Sequence, residues 1–376
     1  MVKGWCPGAL RPMVSGDGLI VRLRAPMGRL TQAQAAGVAA LARRYGNGVI
    51  DLSNRANVQL RGIEEAGYDG LIAELRELGL IDADADAEKR RNIVVTPFWG
   101  ACDDSEVLAQ DLADAAANHT MPYVSSKFGY AVDAGKVPVL QSAAADIRFE
   151  RAADGALILC AEGAALGKRV ALESAISEAT ALAEWARMQG AGRMARLLES
   201  GVPLPDGFDM PRQMLNSQAV PGAHDAGVMV ACGFGQLDSE TLTALATLGT
   251  LRLTPWRMVL IEGAKHKPDL PGIITSPADP MLRVVACVGA PGCGQALGST
   301  RGLARALAAD VPVGQRLHVS GCAKGCAAPQ QCDITLTAQA DGYDLIRAGK
   351  ADAPPIARAL MHDDIIPYLK EPADAP

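Results

Sequence analysis

The chain is 376 residues long, carries a formal charge of -6 at pH 7, and contains 4% aromatic residues. This length predicts two or three domains, and the acidic balance argues against a nucleic-acid-binding protein. No apolar run approaches the ~20 residues that span a bilayer, none follows Met1 as a leader would, and nine cysteines do not pair evenly, so we expect a cytoplasmic protein.

The first predicted unit combines strands and a helix between residues 18 and 63. GLIVRLRAPMGRL alternates as a strand, TQAQAAGVAALARRYG is a helix with Thr31 as its N-cap, and GVIDLSNRANVQLRGI alternates again as two strands. The same order recurs at 227 to 263, where Asp238 or Ser239 caps the helix DSETLTALATLG. We therefore predict two copies of one strand-helix-strand unit.

A second duplication involves longer strands. DIRFERAADGALIL begins at Asp146 and DITLTAQADGYDLI begins at Asp333, and each contains an Asp-Gly pair typical of a hairpin turn. Upstream, PYVSSKFGY at 122 to 130 is aligned with RLHVSGCAKG at 316 to 325, and RRNIVVTPF is aligned with LRVVACVGA. The chain therefore alternates between small and large units, each present twice.

Four cysteines lie in two tight pairs, both in the second large unit. Cys287 and Cys293 are separated by five residues in VACVGAPGCGQA, and Cys322 and Cys326 by three in HVSGCAKGCAAP. Their Gly, Ala and Pro neighbours let the backbone approach a compact inorganic body. The five-residue gap favours a 4Fe-4S cluster over zinc, and a buried disulfide pair is the third alternative. No role is assigned to Cys6, and the remaining cysteines are expected to be structural: Cys102, Cys160, Cys232 and Cys332.

These motifs resemble the nitrite and sulfite reductase superfamily, whose members bind a 4Fe-4S cluster beside a siroheme. The resemblance covers roughly residues 5 to 370. Within the superfamily, GWCPGALRPMVSGDGLIVRL, SKFGYAVDAG, LRLTPWRMVLIEG and VSGCAKGCAAP are similar to the precorrin-3B synthase branch of aerobic cobalamin biosynthesis. The resemblance implies an α+β fold, duplicated about a pseudo-twofold axis, with ferredoxin-like half-domains and two larger α/β sandwich units.

The resemblance also implies domain boundaries. We expect a ferredoxin-like half-domain at 1–75, a reductase-like domain without a cluster at 76–198, a second half-domain at 227–272 and a cluster-bearing domain at 273–376. The linker at 199–226 is rich in Pro and Gly and has no clear periodicity, so it is expected to be a connection or a lid.

A cationic site is implied by the superfamily's basic motifs. Arg55 in NRANVQL, Arg91 in RRNIVV and Lys127 in SKFGY match these motifs and are the predicted catalytic residues. Gly129 stands where the reductases have a second Lys, which argues against sulfite or nitrite because a desolvated oxyanion needs several charge-assisted hydrogen bonds. Further arginines on predicted strands are expected either to bind substrate carboxylates or to lie on solvated strand faces: Arg22, Arg24, Arg61, Arg252 and Arg257.

No second metal site follows from local spacing. The histidines are scattered, without the pairing that a two-His-one-carboxylate iron site needs: His119, His224, His266, His318 and His362. The glycines of VGAPGCG do not form a dinucleotide fingerprint. Electrons are therefore expected from a separate reductase or ferredoxin.

The resemblance implies O₂-dependent hydroxylation of the tetrapyrrole precorrin-3A, with lactone closure to precorrin-3B. The cluster is its expected cofactor, and a second iron, either non-haem or in siroheme, is left open. One alternative is a siroheme-dependent assimilatory nitrite or sulfite reductase. The other is a non-catalytic electron-transfer or tetrapyrrole-carrier protein.

Overall fold

A computed structural model describes residues 7–100, 103–190, 192–214 and 219–370, so Cys6 and Cys102 lie outside the described residues. The described residues form two compact units. Unit 1 takes in the residues up to Met13, Leu19–Val230 and Leu237–Leu270, and unit 2 takes in Val14–Gly18, Ala231–Gln236 and the residues from Pro271 onward. Across the described ranges, no helix has the length and apolar character needed to cross a membrane.

The first small region begins with two strands and has α1 at its centre. Its elements are β1 (Met13–Ser15), β2 (Gly18–Leu23), β3 (Arg29–Leu30), α1 (Gln32–Tyr45), β4 (Val49–Leu52), β5 (Val58–Ile63), α2 (Tyr68–Glu77) and α3 (Ala85–Arg90). Thr31 caps α1 as predicted: its hydroxyl accepts the Gln34 N–H at 3.2 Å, and the Gln34 side chain accepts the Thr31 N–H at 3.0 Å. This reciprocal pair satisfies backbone donors that the first helical turn leaves open.

The first large region is a sheet covered by helices. Its elements are β6 (Ile93–Val95), α4 (Asp104–Ala117), β7 (Tyr130–Asp133), β8 (Ile147–Arg151), β9 (Leu157–Ala161), β10 (Leu166–Arg169), α5 (Ala175–Met188), α6 (Met194–Glu199) and β11 (Phe208–Pro211). The strands are ordered β11-β10-β9-β8-β7-β6, with β6, β7 and β8 parallel and the others antiparallel. Strand β11 lies in the predicted linker, and Arg212 beyond it bonds both oxygens of Glu150 at 2.7 and 3.0 Å. This part of the linker is thereby fixed to the sheet.

The second small region repeats the first. Its elements are β12 (Gly222–His224), β13 (Gly227–Cys232), β14 (Gln236–Asp238), α7 (Ser239–Leu248), β15 (Leu251–Leu253), β16 (Met258–Glu262) and β17 (Ile273–Ile274). Asp238 caps α7 by accepting the Thr241 N–H at 2.7 Å, which decides between the two predicted caps. Two sheets, β1-β2-β5-β4-β14 and β12-β13-β16-β15-β3, each take an edge strand from the other copy. The predicted duplication is confirmed, with this exchange as an addition.

The second large region carries the four predicted ligands. Its elements are β18 (Val284–Ala286), α8 (Arg301–Leu307), β19 (Leu317–Ser320), β20 (Cys332–Gln339), β21 (Gly342–Gly349), β22 (Ala357–Leu360) and α9 (His362–Lys370). Strands β18, β19 and β20 are parallel, and β21 and β22 follow as antiparallel neighbours, as in the first large sheet. The predicted second duplication is therefore confirmed.

Two predicted alignments within that duplication are wrong. The alignment of RRNIVVTPF with LRVVACVGA is wrong by one residue, because the strand pairing matches Ile93 with Val284 and not with Val285. Tyr130 pairs with Ile147 and Leu317 pairs with Ile334, so the strand Tyr130–Asp133 corresponds to Leu317–Ser320. The sequence alignment had instead matched 122–130 with 316–325, because Val-Ser and Lys recur in both segments. The cysteine-bearing loop after β19 thus corresponds to the loop that follows Asp133.

Candidate functional site

The four predicted ligand cysteines lie in the loops that follow β18 and β19. Because these strands are parallel neighbours, both loops emerge at one edge of the sheet. The Gly321 N–H donates to the Cys287 sulfur at 3.2 Å and so joins the two loops. A Cβ on Gly321 would lie 2.7 Å from the Ala296 Cβ, so a larger residue would push the loops apart.

Hydroxyl groups fix the backbone of both loops. The Thr300 hydroxyl donates to the Cys287 carbonyl at 2.6 Å, and the Ser320 hydroxyl donates to the Cys322 carbonyl at 2.7 Å. Gly289 has φ +69, and a Cβ there would lie 2.6 Å from the Thr300 hydroxyl. The backbones of Cys287 and Cys322 are therefore held by hydroxyl groups of the chain itself.

Electrostatic coupling shows that the four thiols share one region of unit 2. Partial burial raises the pKa of the Cys326 thiol, nearby Lys324 opposes that rise, and the thiolates of Cys322, Cys287 and Cys293 raise the pKa further. Four thiolates in one region would require a cationic body to offset their charge. The described cysteines are free, so the disulfide alternative is not supported.

The donor set fits an iron-sulfur cluster. In the described part of the chain, no three His, Cys, Asp or Glu side chains converge as ligands of a single metal ion do. A cluster spreads its thiolates around a larger body, so coupled thiols on two glycine-rich loops suit it better than they suit zinc. A buried histidine, His318, also lies beneath the second loop, and neither of its ring nitrogens has a partner among the described residues. Sequence reasoning missed this residue.

Arg55 and Lys127 are brought together in unit 1. Arg55 lies in the turn between β4 and β5, not in a strand as expected, because Ala56 has φ +54 and interrupts the pairing. An Arg55 guanidinium N–H donates to the Lys127 carbonyl oxygen at 3.1 Å. Lys127 is exposed and Arg55 is partly buried. The Arg55 side chain thus lies against the Lys127 backbone.

Arg91 is held by a partly buried partner of its own. Its guanidinium donates to both carboxylate oxygens of Asp82 at 2.6 and 2.9 Å and to the Arg24 carbonyl at 2.9 Å. The Arg91 side chain is 13% exposed. This bidentate pair neutralises much of the charge that a substrate would use, and its catalytic role stays a prediction.

The other predicted arginines differ in burial and partners. Arg22 bonds the Gln59 side chain, and Arg24 donates to the Glu88 carbonyl at 2.7 Å. Arg61 is buried beside Asp51, with the two charged groups 3.3 Å apart.

Arg252 is buried and packs on Trp99, with the guanidinium carbon 4.0 Å from the ring centroid. It also donates to the Glu262 carboxylate at 2.9 Å. Arg257 is partly buried and has φ +60. The structure therefore gives Arg61 and Arg252 internal partners and does not gather the five arginines on one surface; their roles in substrate binding stay predictions.

Gly129 lies where there is no space for a side chain. It is buried, and a Cβ there would lie 2.5 Å from the Asn92 side-chain nitrogen and 2.9 Å from the Asn92 carbonyl oxygen. Its N–H donates to the Asp146 carboxylate at 3.0 Å, which fixes the backbone. A lysine at this position would require the backbone to move.

Comparison with known proteins places these features in context. Residues 11–78 match the family model of the nitrite/sulfite reductase ferredoxin-like half domain. A precorrin-3B synthase from Sinorhizobium sp. is 27% identical, over 95% of this chain and 85% of that protein. A ferredoxin-nitrite reductase from Synechococcus elongatus is also 27% identical, over 90% of this chain and 81% of that protein.

A solved structure has the same fold. The NirA protein of Mycobacterium tuberculosis superposes with a TM-score of 0.58 at 18% identity, over 87% of this chain and 74% of that chain. This likeness confirms the predicted α+β architecture with ferredoxin-like half-domains. Residues 11–78 thus match the nitrite/sulfite reductase half-domain, and over most of its length the chain is similar to a precorrin-3B synthase and to a ferredoxin-nitrite reductase.

Proposed function

We propose that the chain is a precorrin-3B synthase, which hydroxylates precorrin-3A at C20 and closes a lactone with the ring A acetate. The match to a precorrin-3B synthase spans 95% of the chain. The observation that carries the choice is Gly129, which stands at the reductases' second Lys and has no room for a side chain. A site with one cation fewer binds a small oxyanion less well and suits a large substrate that brings several carboxylates.

The cofactor assignment rests on the cysteine loops. Cys287, Cys293, Cys322 and Cys326 would hold a 4Fe-4S cluster, which supplies single electrons received from an external reductase or ferredoxin. One oxygen atom of O₂ enters the substrate and the other leaves as water, with a pair of electrons and a pair of protons supplied from outside. A second iron, non-haem or in siroheme, belongs to the same proposal, and no described histidine pair suggests its ligands.

Arg55 and Lys127 are the best-placed groups to bind substrate carboxylates. The hydrogen bond from Arg55 to the Lys127 carbonyl fixes the two segments together, so less side-chain freedom is lost on binding. Arg91 is paired with Asp82 and donates to the Arg24 carbonyl, so its proposed role is to fix the backbone at Arg24.

The test is oxygen incorporation. Anaerobically purified protein, given precorrin-3A, a reductant and labelled ¹⁸O₂, should yield a product that carries one labelled oxygen atom. Arg55→Ala should raise KM with little change in stability, whereas Arg187→Ala, which removes an exposed arginine paired with Glu184, should change neither. Absence of labelled product from cluster-loaded protein would overturn the proposal.

The second candidate is a siroheme-dependent nitrite or sulfite reductase, and the Synechococcus relative of equal identity favours it. It predicts a Soret-type absorbance band and consumption of nitrite or sulfite by the isolated protein. A brown protein without that band, inactive on both anions, would exclude it.

A further inference from the structure

His318 lies in the middle of β19 and faces away from the hydrophobic core. Its neighbours Leu317 and Val319 pack in the core between the sheet and α8 and α9. Because side chains alternate along a strand, His318 projects from the opposite face. It is 0% exposed, which is rare for a polar ring without a defined partner.

Neither ring nitrogen of His318 has a hydrogen-bond partner among residues 7–100, 103–190, 192–214 and 219–370. Nearby hydroxyl groups on the same face are already committed to carbonyl oxygens: Thr335 donates to Gly349 at 3.0 Å and Ser320 donates to Cys322 at 2.7 Å. An unsatisfied buried donor is costly, so this ring requires an acceptor that is not a described side chain.

The ring faces the cysteine loop. A Cβ built on Gly325 would lie 3.7 Å from His318 Cε1, the ring atom between the two nitrogens. Gly325 immediately precedes Cys326, has φ +61, and donates its N–H to the Cys322 carbonyl. The imidazole therefore lies directly beneath the segment that carries two of the four thiols.

His318 is neutral near neutral pH. Burial, together with the nearby charge of Arg316, lowers its pKa to about 4. A neutral imidazole carries one N–H donor and one acceptor nitrogen. It can therefore offer one hydrogen bond to the loop without adding a full charge.

We propose that His318 is a positioning residue whose N–H donates a hydrogen bond to a sulfide of the cluster beside the Cys322–Cys326 loop, and raises the cluster's reduction potential. Reduction adds negative charge to the sulfurs, so a fixed donor stabilises the reduced form more than the oxidised form. This inference rests on the cluster in the proposed function, and it holds for either candidate substrate.

Potentiometric titration of the holoprotein, followed by electron paramagnetic resonance, tests the inference. His318→Leu removes the donor, His318→Gln retains an N–H, and Thr335→Val is the matched control on the neighbouring buried position. We expect His318→Leu to disfavour reduction about tenfold, which is about 59 mV for one electron. His318→Gln should recover part of this change, and Thr335→Val should retain the wild-type potential.

A cluster-loaded His318→Leu variant with the wild-type potential would overturn the inference, while the cofactor assignment would stand. Wild-type protein that contains no iron and sulfide would overturn both. Should His318→Leu fail to fold, hyperfine spectroscopy of reduced wild-type protein with ¹⁵N-labelled histidine decides. A nitrogen coupling that is lost in His318→Gln supports the inference, and its absence in wild-type protein contradicts it.

Discussion

The two large sheets share one topology but differ in the polar groups on the face away from their helices. At three positions matched by strand register, the first sheet has charged side chains and the second has hydroxyls: Asp133 against Ser320, Arg148 against Thr335, and Glu150 against Thr337. In the first sheet the Asp133 carboxylate accepts the N–H groups of Val139 and Leu140, both at 2.6 Å. In the first sheet, a charged side chain of the strand therefore holds the loop that follows it.

In the second sheet, fewer side-chain hydrogen bonds hold the corresponding loop. Ser320 makes one bond to the loop, to the Cys322 carbonyl, and His318 beside it has no described partner. What the sheets share is the Asp that begins each repeated motif: Asp146 and Asp333 accept the backbone N–H of the residue before the neighbouring strand. The two copies thus share the strand contacts and differ in their loops, because the first is bonded by a charged side chain and the second by a single hydroxyl.

The largest effect is expected from removing a thiol of the loop that follows β19. Cys322→Ala should abolish cluster loading, because three cysteines leave one iron without its protein ligand. Iron and sulfide analysis of anaerobically purified protein measures this. Cys332→Ala, a buried cysteine on β20, is the matched control and should keep the wild-type iron content. Equal loading of both variants would contradict the ligand assignment.

The buried Asp133 of the first sheet predicts that the protein's stability depends on pH. Burial raises the pKa of Asp133 to about 6, although the N–H groups of Leu140 and Val139 oppose this. The folded state therefore favours the protonated acid, and its stabilising contribution is fully present below the unfolded pKa of 3.8 and is lost as pH rises through about 6. Relative to Asp133→Asn, which cannot ionise, the wild-type free energy of unfolding should fall by on the order of 3 kcal/mol between pH 4 and 7.

Denaturant titrations at several pH values measure that difference. Asp154→Asn is the control, since the Ala156 N–H and Arg169 lower the pKa of this exposed acid, so the sign of its pH dependence is opposite. A difference between wild type and Asp133→Asn that stays constant with pH would contradict the raised pKa.

Gly129 offers a smaller test of how tightly the first sheet is built. Gly129→Ala should lower the free energy of unfolding by about 1–3 kcal/mol, because the new methyl group meets the Asn92 backbone. Gly100→Ala, where an added Cβ meets nothing within 4 Å, should have little effect. If both variants are equally stable, the position has room for a side chain and the argument against the reductases weakens.

The smallest effect is expected at Ser320, the second sheet's counterpart of Asp133. Ser320→Ala removes the bond to the Cys322 carbonyl and should cost about 1 kcal/mol of stability. It should also make cluster loss to a chelator faster than in wild type, which absorbance decay measures. Unchanged stability and unchanged decay would show that the loop is fixed by other contacts.

Much of the fold was predictable because local signals repeat. The Thr31 capping box, the Asp238 cap and the two Asp-Gly hairpins each rest on short-range chemistry that the sequence displays directly. The exchange of β3 and β14 between sheets was not predictable, since it depends on which edge each strand meets in three dimensions. The alignment of 122–130 was wrong for a related reason: it followed the similar residues of the two segments, whereas strand register is set in three dimensions.

The sequence was enough to choose the four candidate cysteines but not to predict what surrounds the candidate site. Cysteine spacing pointed to the two loops, but nothing local marked Asp82 as the partner of Arg91 or Asp51 as the partner of Arg61. His318 was set aside because histidines were sought in pairs. The available signal was its position: His318 lies just before GCAKGC and between the apolar residues Leu317 and Val319, so it faces the side of the strand opposite to theirs.

The central claim is that four thiols from two loops surround one iron-sulfur cluster. The most direct measurement is the iron, inorganic sulfide and zinc content of freshly isolated, anaerobically handled protein, together with its spectrum. We predict iron and sulfide in equal amounts and a signal on reduction typical of a cluster. Zinc in place of iron, or iron without sulfide, would contradict the account.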